Sequence, residues 1–461
     1  MTKGNPNQQA GAQVQHWADP WPGLARIGEA ARRDRSQRFT SLMHHLTPQL
    51  LKKSFQGLKK EAAEGVDGVT WRSYQSDLER LLLDLHERVQ SGRYRAQPSK
   101  RIYLEKEDGR KRPIGIAALE DKIVQKACVK ILEQIYEADF KGFSYGFRPK
   151  RSQHKALDAV YVAVVRTHVN WILDLDLESF FDRIDHEWLE KFLEHRIGDK
   201  RMLRLIARWL KAGVSEEGKW SPTRVGTPQG AVISPLLANI FLHYAFDLWA
   251  QQWRAARAAE KEVAIVRFAD DVVMGFKYEG EARSFLRALR ERLAKFGLKL
   301  NENKTKLIEF GRFAASNRKR NGKGKPETFD FLGFTHTCSQ TRKNGRFTVY
   351  RKPIAKRMRN KLKDIKAKLT KDRHRPIPEQ GKWLRAVVGG YFNYMAVPGT
   401  SKVLSVFRKQ VARLWIRALR RRSHKAQKLT WVKMRPRIDA WLPKPRIGHP
   451  YPTDRLAFDP T

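Results

Sequence analysis

The sequence predicts an α+β protein: a mixed unit with antiparallel strands to about residue 335, then a basic, all-helical region. Three observations carry this. Residues 264–276 set two β-branched, apolar stretches on either side of Ala269, Asp270 and Asp271, the pattern of two strands joined by a tight turn. Residues 171–177 alternate strictly: Leu173, Leu175 and Leu177 share one face of a strand, and Asp174 and Asp176 share the other. From Lys352 onward, Ile354, Met358, Leu362, Ile365 and Leu369 recur at helical spacing within a dense Lys/Arg background.

The elements follow in order. Residues 1–25 are polar and read as a flexible lead-in, with no apolar stretch of the kind a secretory signal needs. Residues 27–58 are helical and basic, Gly65 to Thr70 form a Gly-rich turn, and residues 73–90 return to helical spacing. Residues 101–116 read as a cationic hairpin around Asp108-Gly109, with Lys106 and Arg112 flanking the turn. Such a tip suits phosphate oxygens, which arginine grips with a forked contact. Residues 118–136 are helical. Residues 143–149 form an aromatic and basic loop ending in Arg148 and Pro149, suited to stacking and phosphate contact or simply to packing. After the alternating strand, residues 178–196 read as one helix that starts at Phe180 and Phe181. Gly226-Thr227-Pro228-Gln229-Gly230 is a turn opening an apolar helix over 232–248, and the Gln229 amide can reach a nucleotide. Residues 281–296 are an amphipathic helix capped by Gly297, Lys304 and Thr305 lead to a strand through Phe310, and 311–327 read as a basic loop. Residues 329–335 close the first unit, 26–335. Three amphipathic helices make a second unit over 350–435, and 436–461 read as an extended basic tail.

Composition narrows the partners. Apolar residues make up 41% of the 461, enough for folded cores, and no apolar run approaches the roughly 18 residues of a membrane span. Cys128 and Cys338 lie too far apart in sequence for a Cys-based zinc module, and their usage fits a reducing cytoplasm. The net charge is +44, and residues 311–461 alone hold 39 Lys/Arg against 8 Asp/Glu. An excess this one-sided calls for a polyanion, nucleic acid first and an anionic membrane surface second.

Asp176 ends a strand, and Asp270 and Asp271 sit on a hairpin turn. A lone Asp-Asp is most often a surface turn. Three carboxylates from two elements, amid basic residues, can instead hold two Mg²⁺ ions about 3.5–4 Å apart for an in-line phosphoryl displacement. Phe181, five positions after Asp176, stands where an aromatic ring could exclude a 2′-hydroxyl.

The chain resembles the reverse transcriptases encoded by bacterial group II introns, which also act as splicing maturases. Phe268-Ala269-Asp270-Asp271 is similar to their Tyr/Phe-Ala-Asp-Asp box, and Asp176 through Asp182 resembles their first catalytic block. Gly226 to Gly230, Lys304-Thr305 and Phe331-Leu332-Gly333-Phe334 match later blocks in order, and Gly65 to Thr70 resembles an N-terminal one. Gly389 to Tyr394 is a looser match to their maturase signature. The resemblance implies a right-hand polymerase: fingers and palm with an antiparallel sheet over 26–335, then a helical thumb that serves as the maturase domain. It implies two Mg²⁺ on Asp176, Asp270 and Asp271, and dNTP contacts from Lys106, Arg112, Phe181, Gln229 and Lys304. RNA contacts are expected from Arg148, Arg357, Lys361, Arg420 and Arg421. The implied partners are group II intron RNA, an RNA template, a DNA primer or target and dNTPs, in a bacterial cytoplasmic ribonucleoprotein with no membrane. Many relatives end in a zinc-supported HNH endonuclease; without paired cysteines, second-strand cleavage is not expected here. The alternatives are a splicing-only RNA-binding maturase, or a reverse transcriptase of a retron, a diversity-generating element or a phage-defence system. Intact acids argue against the first, and the basic helical region argues against the second group.

Overall fold

The computed structural model describes residues 22–105, 109, 111–223, 225–228, 230–257, 263–341 and 343–455. In chain order its strands are β1 (Ser99–Glu105), β2 (Lys111–Ile116), β3 (Trp171–Asp176), β4 (Val214–Glu216), β5 (Lys219–Ser221), β6 (Val263–Phe268), β7 (Asp271–Phe276), β8 (Lys306–Glu309), β9 (Phe329–Phe331), β10 (Phe334–Gln340) and β11 (Phe347–Pro353). They form three sheets, ordered β2-β1-β4-β5, β6-β7-β3-β8 and β11-β10-β9. The middle sheet is antiparallel throughout.

Both faces of that sheet are buried, because period-2 alternation delivers apolar side chains to each. Leu173, Leu175, Val272, Met274 and Ile265 join a core that includes residues of the helices Leu119–Asp139 and Glu279–Ala294. Ile172, Val273, Val266 and Ile308 face the other way, toward the helix Gln153–Arg166 and the C-terminal bundle. On the face of β3 that carries the acids, Ile172 lies in the core, and Asp174 is half-buried opposite the cation Lys306 of β8. Burial, then Asp271 and Asp176, push the Asp174 carboxyl up to about 7, while Lys306 pulls it back.

The bundle comprises Ala355–Lys371, Ile377–Met395, Ser401–Arg420 and Trp431–Trp441. Its core includes fully buried Trp415, whose indole N–H donates to Gln380 Oε1 at 2.9 Å. Gly381 lets Trp441 close onto the bundle, since a Cβ there would lie 2.5 Å from the indole. The bundle meets the sheet unit at Phe331 to Phe334. Tyr394 Oη donates to the Leu332 carbonyl at 2.8 Å, and His154 Nε2 donates to the Tyr394 carbonyl at 2.8 Å.

Several expectations need correction. The helix Pro22–Arg33 begins inside the expected lead-in, and the helix Trp431–Trp441 runs into the expected extended tail despite Pro436. Proline is costly there, but buried Met434 and Ile438 anchor the helix on the bundle. Residues 178–196 are two helices, Phe180–Arg183 and His186–Glu194, because Asp185 caps the second by accepting from Trp188 N. Residues 314–320 of the expected basic loop are helical. The β10–β11 hairpin, with Gly345 at φ 64, extends the sheet beyond residue 335. Residues 1–21 and 456–461 lie outside the described residues.

Candidate active site

The site is built on the β6–β7 turn. Ala269 and Asp270 alone join the strands, and Phe268 pairs with Asp271. Ala269 has φ 57, which matches the twist of a two-residue hairpin but costs a residue with a Cβ about 1–2 kcal/mol. A buried network holds it. Arg267 Nη1 donates to the Ala269 carbonyl at 3.0 Å and to Asn239 Oδ1 at 3.0 Å. Arg267 Nε and Nη2 fork onto Asp247 at 2.7 and 2.5 Å, with both side chains fully buried. Asn239 Nδ2 donates to the Gly146 carbonyl at 2.7 Å. Gly146 presses on the turn so closely that a Cβ would lie 2.3 Å from Ala269 N. Tyr145 N to Arg267 O and Arg267 N to Phe143 O bind this loop to β6 at 2.8 and 2.9 Å.

Three acids meet beside that turn. Asp271 opens β7 and stands in register opposite Asp176, the last residue of β3. Such antiparallel partners are about 4.5–5.5 Å apart at Cα. Asp270 is close enough to feel the Asp176 charge, which adds to burial in raising its carboxyl above the ordinary range; Arg112 and Arg267 oppose the rise. Asp271 touches solvent, yet protein crowds its carboxyl. Crowding, then Asp270 and Asp176, push it up to about 6 against the pull of Arg357 and Lys304. Lys304 Nζ lies 3.1 and 3.2 Å from the two Asp176 oxygens. The Asp176 backbone is held by Asn301 N to its carbonyl at 2.8 Å and by donation to Thr305 Oγ1 at 3.4 Å.

This crowding has a stability consequence. An acid raised from 3.8 to about 6 contributes stability that is fully present below 3.8 and is lost as pH rises through about 6. Asp271→Asn removes the charge, so its melting temperature in EDTA should exceed the wild type's above pH 6, with the gain vanishing toward pH 4. The gain is modest, because the carboxylate still meets solvent. Equal melting curves at pH 8 would show that the acids do not strain the fold.

Among the described residues, no three His, Cys, Asp or Glu side chains are set to hold a metal ion by themselves. Magnesium seldom takes an all-protein cage; it binds one or two carboxylates and completes its shell with water and substrate phosphates. Hard oxygen donors carrying surplus negative charge fit an ion completed in that way.

The remaining expected residues are placed as follows. Phe181 is half-buried and packs edge-on against Phe180 at 5.4 Å. Its carbonyl accepts from Thr227 N at 2.8 Å, and Gly226, at φ 90, leaves no room for a Cβ beside Phe181 O at 2.9 Å. The Gly226 loop therefore supports the Phe181 turn. Arg112 is exposed on β2, near enough to act on Asp270. Lys106 and Gln229 lie outside the described residues. Arg357, an expected RNA contact, stands by Gly333 and acts on Asp271. Lys361 is exposed one turn further along the same helix, and Arg420 and Arg421 are exposed at the end of Ser401–Arg420.

Arg148 requires a correction. It is buried, forks onto Glu137 at 3.0 and 2.9 Å, and donates to the Lys141 and Ser144 carbonyls at 2.8 and 2.7 Å. Its donors are spent on shaping the loop, so it is not an RNA contact. Arg267, Asp247 and Asn239 were not anticipated. The available signal was a charge inside each of two apolar runs, since a buried charge requires a partner.

The description "Reverse transcriptase (RNA-dependent DNA polymerase)" fits residues 104–336. Protein YkfC of Escherichia coli (strain K12) is 38% identical over 53% of this chain and 71% of its own length. The group II intron-encoded protein LtrA of Lactococcus lactis subsp. cremoris is 35% identical over 48% of this chain and 37% of its own. Nuclear intron maturase 1, mitochondrial, of Arabidopsis thaliana is 28% identical over 20% of this chain and 13% of its own.

Proposed function

Because the chain belongs to the reverse transcriptase family, in its group II intron-encoded branch, we propose that it adds dNTPs to a primer 3′-hydroxyl on an RNA template with two Mg²⁺ ions, and binds its intron RNA to assist splicing and mobility. The observation that carries this reading is Asp176 in register with Asp271, beside Asp270, at one end of the middle sheet.

In this reading the middle sheet is the palm, the β1–β2 hairpin belongs to the fingers, and the bundle over 350–435 is the thumb. Asp176, Asp270 and Asp271 hold the ions. Bound there, divalent metal lowers the pKa of the attacking hydroxyl and neutralises the leaving pyrophosphate. Arg112 and Lys304 meet triphosphate oxygens in this reading, which the exposure of Arg112 supports, Lys304 by exchanging its Asp176 contact for phosphate. Lys106 and Gln229 complete the proposed nucleotide set. Phe181 lies under the sugar and excludes a 2′-hydroxyl by occupying its space. Arg357, beside Asp271, meets the nucleic-acid backbone in this reading, and exposed Lys361, Arg420 and Arg421 add contacts on the thumb.

The test is primer extension on an RNA template. Template-directed dNTP incorporation that EDTA abolishes supports the reading, and no incorporation by a folded, RNA-binding chain refutes it. In the same assay, Phe181→Ala should narrow the preference for dNTPs over NTPs by about 10–100-fold, the range a lost steric contact supplies. An unchanged preference would remove Phe181 from sugar selection.

No helix among the described residues is long and apolar enough to cross a membrane.

A further inference from the structure

On the helix Lys200–Lys211, Arg201, Arg204 and Arg208 stand at i, i+3 and i+7, on the face opposite buried Leu203, Ile206 and Leu210. They line a cavity of about 170 Å³ together with Gln90, Ser91 and Gly92, far more than the roughly 10–15 Å³ that one ordered water needs. Arg201 and Arg204 are exposed and Arg208 is half-buried.

The three guanidiniums are held by carbonyls rather than neutralised by acids. Arg201 donates to the Gln90 carbonyl and to Gln90 Oε1, Arg204 Nε donates to Lys200 O at 3.2 Å, and Arg208 Nη1 donates to Gly92 O and Tyr94 O at 3.2 and 3.0 Å. Among the described residues none of the three is ion-paired with a carboxylate, whereas neighbouring Arg88 and Arg93 are. Each guanidinium has five N–H donors, so most of them remain available. Seven residues of helix carry the three charges about 10.5 Å along the axis, longer than one phosphate group. Such a ridge suits a chain of phosphates better than a single anion. None of the three is among the principal charges acting on Asp270 or Asp271.

We propose that this arginine-lined cavity is a second nucleic-acid site, which grips the phosphate backbone of an RNA segment lying outside the primer–template duplex. The proposal rests on the reading of the chain as an RNA-binding polymerase. It adds a contact surface separate from the acids and from the bundle.

The test uses the full chain, saturated with an unlabelled primer–template, and a labelled single-stranded oligoribonucleotide titrated at several salt concentrations. The comparison is wild type against Arg201→Gln/Arg204→Gln. Arg208 is kept because it braces the backbone at Tyr94. The saturated wild type should bind the second RNA, and the double variant should bind it roughly tenfold more weakly near 0.1 M salt. Its slope of log K against log [salt] should fall by about 1.4, or 0.7 for each lost contact. Arg201→Lys/Arg204→Lys should keep the slope. Primer extension on a short template should be unchanged in the double variant. Equal affinity and slope in the Gln variant overturns the proposal, as does a saturated wild type that binds no second RNA. If the wild type extends no primer, the polymerase reading fails, and the comparison of wild type with variant on RNA alone still decides the cavity.

Discussion

Replacing Asp270 and Asp271 by Asn is expected to abolish dNTP incorporation while leaving the fold intact. The loss should be at least about 10²–10³-fold, the scale of removing one preorganised electrostatic contact to a transition state, and larger where two such groups go together. The fold should survive because both carboxyls are raised by crowding and then by neighbouring acids, Asp176 for Asp270 and Asp270 with Asp176 for Asp271. Asn keeps their shape and removes that repulsion. Single-turnover incorporation measures the first effect, and thermal melting with RNA binding measures the second. A variant that loses activity and RNA binding together would show that the acids serve the fold. A variant that retains activity would remove them from the chemistry.

The second large effect lies behind the turn. Arg267 and Asp247 are paired with no exposure at either side chain. Removing one partner leaves a buried charge unanswered, so Asp247→Ala should cost about 3–5 kcal/mol. The double change Arg267→Met/Asp247→Leu replaces the pair by apolar groups and should recover most of that stability. It should not recover activity, because the Ala269 carbonyl loses its donor and the left-handed turn loses a restraint. Chemical denaturation of Arg267→Met, Asp247→Leu and the double variant gives the coupling energy. A double variant that is both stable and fully active would show that Arg267 does not position the acids.

The parts of this molecule legible in its sequence are those set by local pattern. Alternation in β3 and the paired apolar runs of β6 and β7 predicted the strands that carry Asp176 and Asp271 and the turn that carries Asp270, and β3 pairs with β7 so that Asp176 faces Asp271. What the pattern missed depends on contacts distant along the chain. Arg148 looked available for RNA because its loop is aromatic and basic, but Glu137, eleven residues earlier, claims it. Arg357 looked like one more cation on a basic helix, yet the turn at Gly333 brings it to the acids. The helix around Pro436 was read as an extended tail because proline opposes helix, and burial of Met434 and Ile438 prevailed. The β10–β11 hairpin lacked strong alternation on both strands, and its cohesion comes from residues such as Phe334 and Val349 packing under the bundle.

The central claim is that three carboxylates, two on facing strand ends and one on the adjoining turn, hold the divalent ions of a nucleotidyl transfer. The most direct measurement counts those ions without relying on turnover. Mn²⁺ serves as a paramagnetic stand-in for Mg²⁺, bound to the full chain with an RNA template, a DNA primer lacking its 3′-hydroxyl and the matching dNTP. The account predicts about two bound Mn²⁺ for the wild type, with both lost in the Asp176→Asn/Asp270→Asn/Asp271→Asn variant while the RNA remains bound. The same Mn²⁺ occupancy in the two proteins would contradict it.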